Sequence, residues 1–199
     1  MATNMALKRA RKAQRRKQVV TQKRRTEALE ASLPARVLRA AREPIQHCLL
    51  TENVFEIGMG MLILARGTTP YRLAMSSFLI DVFSLGIKDV MFKSVDSEFF
   101  AMYMDAAATG SPMVSVDPSD SRKLLRDLAG WSQALGFAPH RDFAAVERIF
   151  GDVSADASEA FFRFGRDGKP VYVPGPNDTA PLIRRRIAQL QEPLGDDGF

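Results

Sequence analysis

Long apolar runs separated by turn-forming residues pattern the middle of the chain. The apolar segment Ile57–Arg66 predicts a strand, the Gly-Thr-Thr-Pro sequence at 67–70 predicts a turn, and Tyr71–Phe83 predicts a second, longer strand. Together these segments predict a β-hairpin. The Ser-Leu-Gly sequence at 84–86 then interrupts the run. The apolar segment Ile87–Phe92 that follows is compatible with either a strand or a helix.

Helical periodicity dominates the rest of the chain. Asp117-Pro118 predicts the start of a helix, because aspartate caps helices and proline suits their first turn. The apolar positions that follow have the i, i+4, i+7, i+11 spacing of one helix face, and Gly136 ends the pattern. These positions are Leu124, Leu128, Trp131 and Leu135. Three further helices are predicted over Asp96–Ala108, Asp142–Phe150 and Asp178–Gln191.

A second hairpin is predicted near the C-terminus. Phe161–Phe164 and Val171–Val173 are short apolar segments, and the sequence between them at 166–169 contains the Asp-Gly pair that two-residue hairpin turns favour. The pattern as a whole predicts an α+β fold. Its two β-hairpins could join in one antiparallel sheet, with helices packed on one side and a long basic helical arm in front.

The first 43 residues form a separate, strongly basic segment. Good helix formers fill it, and it has no glycine between Met5 and Arg42. Its charges lie all round the helix, leave no apolar face to bury and repel one another, so we expect the isolated arm to be frayed. We expect it to become helical when a polyanion neutralises these charges. Ten basic residues and no acidic one occur from Lys8 to Arg25. These arm cations are Lys8, Arg9, Arg11, Lys12, Arg15, Arg16, Lys17, Lys23, Arg24 and Arg25.

The charge is divided unevenly between this arm and the rest of the chain. Residues 1–43 hold 13 Lys/Arg and 3 Glu, a net charge of +10. Residues 44–199 hold 15 basic and 20 acidic side chains, a net charge of −5. The division predicts a basic helical arm over 1–43 and an α+β globular domain over 44–199.

Composition predicts a cytoplasmic globular protein without a membrane partner. The 199 residues suit one domain with an appendage, and 46% hydrophobic and 26% charged residues are ordinary for such a chain. Cys48 is the only cysteine, which excludes an internal disulfide and indicates a reducing compartment. The longest apolar run, residues 57–65, is too short to cross a bilayer, and the basic N-terminus lacks the apolar segment of a secretory signal.

The dense run of cations predicts binding to RNA or DNA, with a ribosome or other ribonucleoprotein as a possible target. Ten cations can neutralise a comparable number of phosphates, which is an electrostatic and sequence-independent mode of binding. No aromatic residue occurs in 1–43, so the arm has no means of stacking on bases. The acidic body could instead meet a protein partner, and a protein–protein interaction module is therefore an alternative. No motif implies a cofactor.

Two acidic residues in apolar surroundings, Asp81 and Asp89, are the main candidates for chemistry. If their carboxylates converged, with Asp105 or Glu52 as a third ligand, they could hold a divalent cation as nucleases do. That alternative is a metal-dependent hydrolase or nuclease, with Lys88 as a weaker catalytic candidate. The favoured interpretation is structural: Asp81 and Lys88 form a buried ion pair, or Asp81 lies on the solvent side of a half-exposed strand. Whether the protein is an enzyme stays open at this point.

The histidines and the cysteine do not predict a metal site. His47 and Cys48 are adjacent, and His140 is the only other histidine, so zinc lacks its usual ligand set. We interpret Cys48 as a small core residue and His140 as a structural residue in an interhelical turn. The segment 165–169 lacks the Lys-Ser or Lys-Thr end of a phosphate loop.

Three blocks of sequence resemble a family of uncharacterised bacterial proteins. They are residues 78–89 (FLxDVxxLGxKD), 135–143 (LGFxPHxDF) and 164–178 (FGxDGKPxYxxGPxD). The blocks have the same order as in that family and lie outside the arm. The resemblance implies a shared fold and supplies no activity. Where many of these relatives have a cysteine in the first block, this chain has Ser84, which argues against a role that needs a thiol there.

Overall fold

The computed structural model describes residues 31–69, 71–175 and 178–191. The chain divides into two compact units, Met1–Arg36 and Val37–Phe199. All ten arm cations lie outside the described residues, so the helix predicted for them stays a prediction. The second unit begins ahead of the predicted domain start at residue 44, and its first residue, Val37, is fully buried.

A five-stranded antiparallel sheet forms the centre of the second unit. Its strands are β1 Ile45–Thr51, β2 Met59–Thr69, β3 Arg72–Asp81, β4 Gly86–Asp96 and β5 Met113–Ser115. They lie in the order β4-β3-β2-β1-β5, and each neighbouring pair is antiparallel. The described residues therefore confirm the α+β class with one antiparallel sheet.

The first predicted hairpin is confirmed as β2 and β3. These strands pair from Thr69 and Arg72 at the turn to Met59 and Asp81 at the far end. The segment that fitted either a strand or a helix belongs to β4, which pairs along the whole length of β3. The sequence pattern does not predict β1 or β5, since β1 mixes polar with apolar residues and β5 has only three residues.

The described residues contain six α-helices. They are α1 Leu33–Ala40, α2 Val54–Ile57, α3 Ser97–Ala107, α4 Pro118–Ala134, α5 Phe143–Val146 and α6 Ala180–Gln191, with 3₁₀ turns at Glu147–Phe150 and Ala155–Ala157. Aspartates cap both α3 and α4: Asp96 Oδ1 accepts a hydrogen bond from the Phe99 N–H (2.8 Å), and Asp117 Oδ1 accepts one from the Ser119 N–H (2.7 Å). None of the described helices has the length and apolar character needed to span a membrane.

One face of the sheet is covered by α4, α5 and the 3₁₀ turn after α5. Phe78 of β3 contacts the rings of Phe143 and Phe150, with centroid distances of 6.2 and 6.4 Å. Cys48 of β1 lies on the same face, and its Sγ donates to Ser121 Oγ of α4 (3.2 Å). These contacts form a buried core between this face of the sheet and α4, α5 and the 3₁₀ turn.

The opposite face is covered by α3. Tyr103 of α3 donates a hydrogen bond to Ser77 Oγ of β3 (2.9 Å). The prediction that helices pack on one side is therefore wrong. The central strands β2 and β3 carry buried side chains on both faces, so each face needs a cover. The buried residues under α3 are Ile63, Ala65, Leu73, Met75 and Val95.

The second predicted hairpin does not form paired strands. Only an isolated bridge joins the ends of Arg166–Lys169, although the Asp-Gly pair between them has the positive φ angles (56° and 81°) of a tight turn. The flanking segments bind elsewhere: the Gly165 N–H donates to the Val82 carbonyl (2.8 Å), and the Val171 N–H donates to the Phe83 carbonyl (2.9 Å). The turn chemistry is thus as predicted, but the β3–β4 connection takes the backbone groups that a hairpin would use.

Candidate functional site

The fold brings the three sequence blocks together at the connection between β3 and β4. The first block contains this connection, and the two backbone hydrogen bonds just described attach the third block to it. The second block reaches the start of β4, where the His140 N–H donates to the Ile87 carbonyl (2.9 Å). Segments up to about 90 residues apart therefore meet at one end of the sheet, as distant positions do in folded domains.

Asp81 lies at the centre of this meeting point and is only 2% exposed. Its Oδ1 accepts hydrogen bonds from the N–H groups of Phe83 and Ser84, both at 2.9 Å. Asp81 Oδ2 and Ser84 Oγ are buried and have no hydrogen-bond partner among the described residues. The carboxylate therefore holds the turn that leads from β3 into β4, as aspartates commonly do in tight turns.

Neither structural interpretation of Asp81 is correct in detail. The residue is buried, so it does not lie on the solvent side of a strand. Within the described part of the chain it has no cation within the 4.0 Å that defines an ion pair, and Lys88 acts on it only at longer range. Burial raises the pKa of Asp81, and the N–H groups of Ser84 and Phe83, together with the Lys88 charge, oppose part of this rise.

Asp89 occupies a different environment from Asp81. Its side chain is 68% exposed, and its Oδ1 lies 3.6 Å from His140 Nε2 and accepts from the Val90 N–H (2.8 Å). One carboxylate is thus buried in a turn, while the other faces solvent. Among the described residues no group of three His, Cys, Asp or Glu side chains could hold a metal ion. The geometry therefore offers no support for the hydrolase alternative, which remains a prediction without a structural observation behind it.

The third block contains a polar pair that sequence reasoning missed. The Tyr172 hydroxyl donates to Asp178 Oδ2 (2.5 Å), and the same oxygen accepts from the Gly175 N–H (2.6 Å). Burial and this hydrogen bond raise the pKa of Tyr172 to about 12, so the phenol stays protonated. The hydrogen bond from Tyr172 lowers the pKa of Asp178. No periodicity signals such a pair; only the alternation of Gly and Pro around it indicates a rigid segment.

His47 and Cys48 do not form a catalytic pair. As neighbours on a strand they lie on opposite faces of the sheet: His47 stacks on Phe100 of α3 (4.7 Å between ring centroids), and Cys48 bonds to Ser121 of α4. Burial raises the pKa of the Cys48 thiol to about 11, so little thiolate forms at neutral pH. Cys48 is the core residue that the sequence predicts.

Asp81 should give the folding stability a measurable pH dependence. Its folded pKa is raised above the unfolded value of about 3.9, so the charged form is disfavoured in the folded protein. The unfolding free energy should therefore increase as the pH falls through the folded pKa towards about 3.9. Asp81→Asn keeps an oxygen for the turn but cannot titrate. Urea unfolding of both proteins across this window should show the wild type gaining stability relative to the variant; a difference independent of pH would contradict the assignment.

The ten arm cations, which are the predicted nucleic-acid contacts, are not placed by the described structure. Two further basic residues of the segment 1–43, Arg39 in α1 and Arg42 just after it, are described and exposed to solvent. Compared with models of protein families, with curated proteins and with solved structures, this chain matches none of them.

Proposed function

We propose that the protein binds RNA or DNA electrostatically through its ten arm cations, alone or within a ribonucleoprotein. The observation that carries the proposal is the charge division, with a net charge of +10 on residues 1–43 and −5 on residues 44–199. A polyanion is attracted by the first segment and repelled by the second. Binding is thereby directed to the arm, and no base-specific contact is needed.

The described surface supports the proposal in two ways. Arg39 and Arg42, which belong to the basic segment 1–43, are exposed to solvent in the described part of the chain. Among the described residues of the body no group of three His, Cys, Asp or Glu side chains could hold a metal ion, and Asp81 is buried while Asp89 faces solvent. The function supported best is therefore binding, with the folded body providing placement or a second contact.

The test is binding of labelled single-stranded RNA and duplex DNA to the full chain by fluorescence anisotropy. With all ten arm cations replaced by Gln, we expect binding to be about hundredfold weaker at ~0.15 M salt. For the wild type, the logarithm of the association constant should fall with the logarithm of salt by about 0.7 to 0.9 per phosphate contacted. For the variant without arm cations, the association constant should show almost no dependence on salt concentration.

Two matched variants separate a specific role of the arm from the effect of total charge. One carries Gln at four arm positions, Arg15, Arg16, Arg24 and Arg25. The other carries Gln at four exposed positions of the body, Arg148, Arg163, Arg184 and Arg185. We expect the first to weaken binding and to reduce the salt slope by about three to four. Equal losses in the two variants would overturn the proposal.

A further inference from the structure

A small apolar pocket opens beside the start of α4, on the sheet face away from α3. Its volume is about 250 Å³. That is more than the ~150 Å³ of a cavity that admits benzene and less than the ~300 Å³ at which pockets for drug-sized ligands begin. The size fits one large apolar side chain better than a cofactor. The lining residues are Leu50, Val116, Asp117, Asp120, Ser121, Leu124 and Phe162.

The chain segments that form and contact this pocket carry exposed aromatic and aliphatic side chains. Phe162, in its wall, stacks on Phe55 with a centroid distance of 6.0 Å and an interplanar angle of 6°. Phe55 and Ile57, both in α2, are 38% and 47% exposed, and Phe161 beside Phe162 is 85% exposed. We call the pocket and these residues the phenylalanine patch. Grouped apolar exposure of this kind marks interaction surfaces, whereas a single exposed apolar side chain does not.

Acidic side chains lie beside the phenylalanine patch. Asp117 is exposed, and its hydrogen bond with Ser119 lowers its pKa, so it is ionised at neutral pH. Asp120 in the pocket wall accepts from Ser158 Oγ (2.6 Å). Glu56, between Phe55 and Ile57, and Glu159, two residues before Phe161, are exposed.

The cations near the patch do not cancel this charge. Lys123 lies 5.7 Å from the centre of the Phe162 ring, but it forms an ion pair with Asp127. Arg163 is exposed and contributes one positive charge. The partial positive charge of about one half at the α4 N-terminus is smaller than the two negative charges of Asp117 and Asp120. The surface therefore combines an apolar centre with a net negative rim.

We propose that the phenylalanine patch docks a basic segment of a partner protein, which inserts one large apolar side chain into the pocket. Charge complementarity selects a basic occupant, since an acidic peptide, an anionic membrane or a nucleic acid would meet the carboxylates of the rim. The apolar anchor follows from the pocket's size and walls. The proposed contact uses none of the ten arm cations and adds a protein contact to nucleic-acid binding.

The probe is a fluorescein-labelled synthetic helix of about 18 residues, made of Lys and Leu with the leucines on one face, added to the full-length protein. Phe161→Ala combined with Asp120→Asn should weaken its binding about tenfold, and neither change removes a buried apolar side chain. The matched control, Met102→Ala with Asp105→Asn, removes an exposed apolar group and an exposed acid on α3, across the sheet. It should change the affinity less than twofold.

Peptide variants and amide NMR complete the test. On the wild type, Ala in place of Leu or Glu in place of Lys should each weaken binding at least tenfold, and shifted amides should include Leu50, Val116 and Leu124. The variant without arm cations should keep the wild-type peptide affinity, which distinguishes this proposal from the nucleic-acid proposal. Equal losses in the two double variants, no binding below ~1 mM peptide, or vesicle binding that depends on Phe161 would each overturn the docking proposal.

Discussion

Replacing Arg66 by Met should lower the free energy of unfolding by about 3–5 kcal/mol. Arg66 lies in β2 and is 7% exposed. Its Nε donates to the Ile149 carbonyl (2.7 Å), its Nη1 to the Glu43 carbonyl (2.6 Å) and its Nη2 to the Phe150 carbonyl (2.7 Å). One guanidinium thus joins Glu43, two residues before β1, to the 3₁₀ turn that follows α5.

The expected loss arises mainly from the carbonyl groups. Methionine fills a similar volume but donates no hydrogen bond, so the Ile149 and Phe150 oxygens would stay buried without partners. Each unsatisfied buried group costs about 1–3 kcal/mol, which is more than a typical hydrogen bond contributes when both partners are removed. Arg66→Lys should recover only part of the loss, because an ammonium cannot reach three separate acceptors in the planar geometry of a guanidinium.

Urea unfolding at neutral pH measures this effect, and Arg39→Met is its control. Arg39 is exposed, so its replacement should change the unfolding free energy by no more than about 0.5 kcal/mol. If Arg66→Met lowers the unfolding free energy by less than about 1 kcal/mol, the three carbonyls find other donors and the Arg66 hydrogen bonds do not stabilise the fold.

Gly86→Ala should lower the unfolding free energy by about 3 kcal/mol, from two separate causes. Gly86 starts β4 with φ = +72°, a left-handed conformation that costs about 1–2 kcal/mol for an alanine. A Cβ there would lie 2.1 Å from Ser132 Oγ and 2.5 Å from Ser132 Cβ of α4. The close approach of β4 to α4 therefore needs a residue without a side chain, and relieving the overlap adds about 1–3 kcal/mol.

Two variants separate these causes. Gly110→Ala places a Cβ at φ = +94° with no atom within 4 Å, so it should show only the backbone cost of about 1–2 kcal/mol. Ser132→Gly removes the overlapping atoms, and a double-mutant cycle with Gly86→Ala should give a favourable coupling of at least about 1 kcal/mol. Thermal or urea unfolding measures the stability of the four proteins in the cycle and of Gly110→Ala. Strictly additive changes in unfolding free energy would show that a side chain at position 86 does not overlap with Ser132.

The sequence by itself determined the local features of the protein. The β2–β3 hairpin follows from two apolar runs around a turn, α3 follows from helical spacing, and α4 follows from helical spacing and its Asp117-Pro118 start. The tight Asp-Gly turn at 167–168 also has the expected geometry. These features depend on residues near each other in the chain, so the sequence pattern contains the relevant physics.

The tertiary structure alone decided which distant segments pair. β1 and β5 are strands because the edge of β2, and then of β1, accepts their backbone groups. The segments beside the Asp-Gly turn bind the β3–β4 connection rather than each other. Helices cover both faces because the central strands are buried on both sides. Competition among partners for backbone hydrogen bonds and burial is non-local, and no window of sequence displays it.

In the candidate sites too, the sequence determined some features and the tertiary structure decided others. The sequence identified Asp81 as an acid out of place, but its burial, its turn hydrogen bonds and the contrast with solvent-exposed Asp89 depend on how the β3–β4 connection folds. The phenylalanine patch joins residues from α2, the start of α4 and the segment after the second 3₁₀ turn, which no spacing rule connects. Charge division is different, because net charge is a sum over residues and needs no fold: the basic arm was determined by the sequence alone.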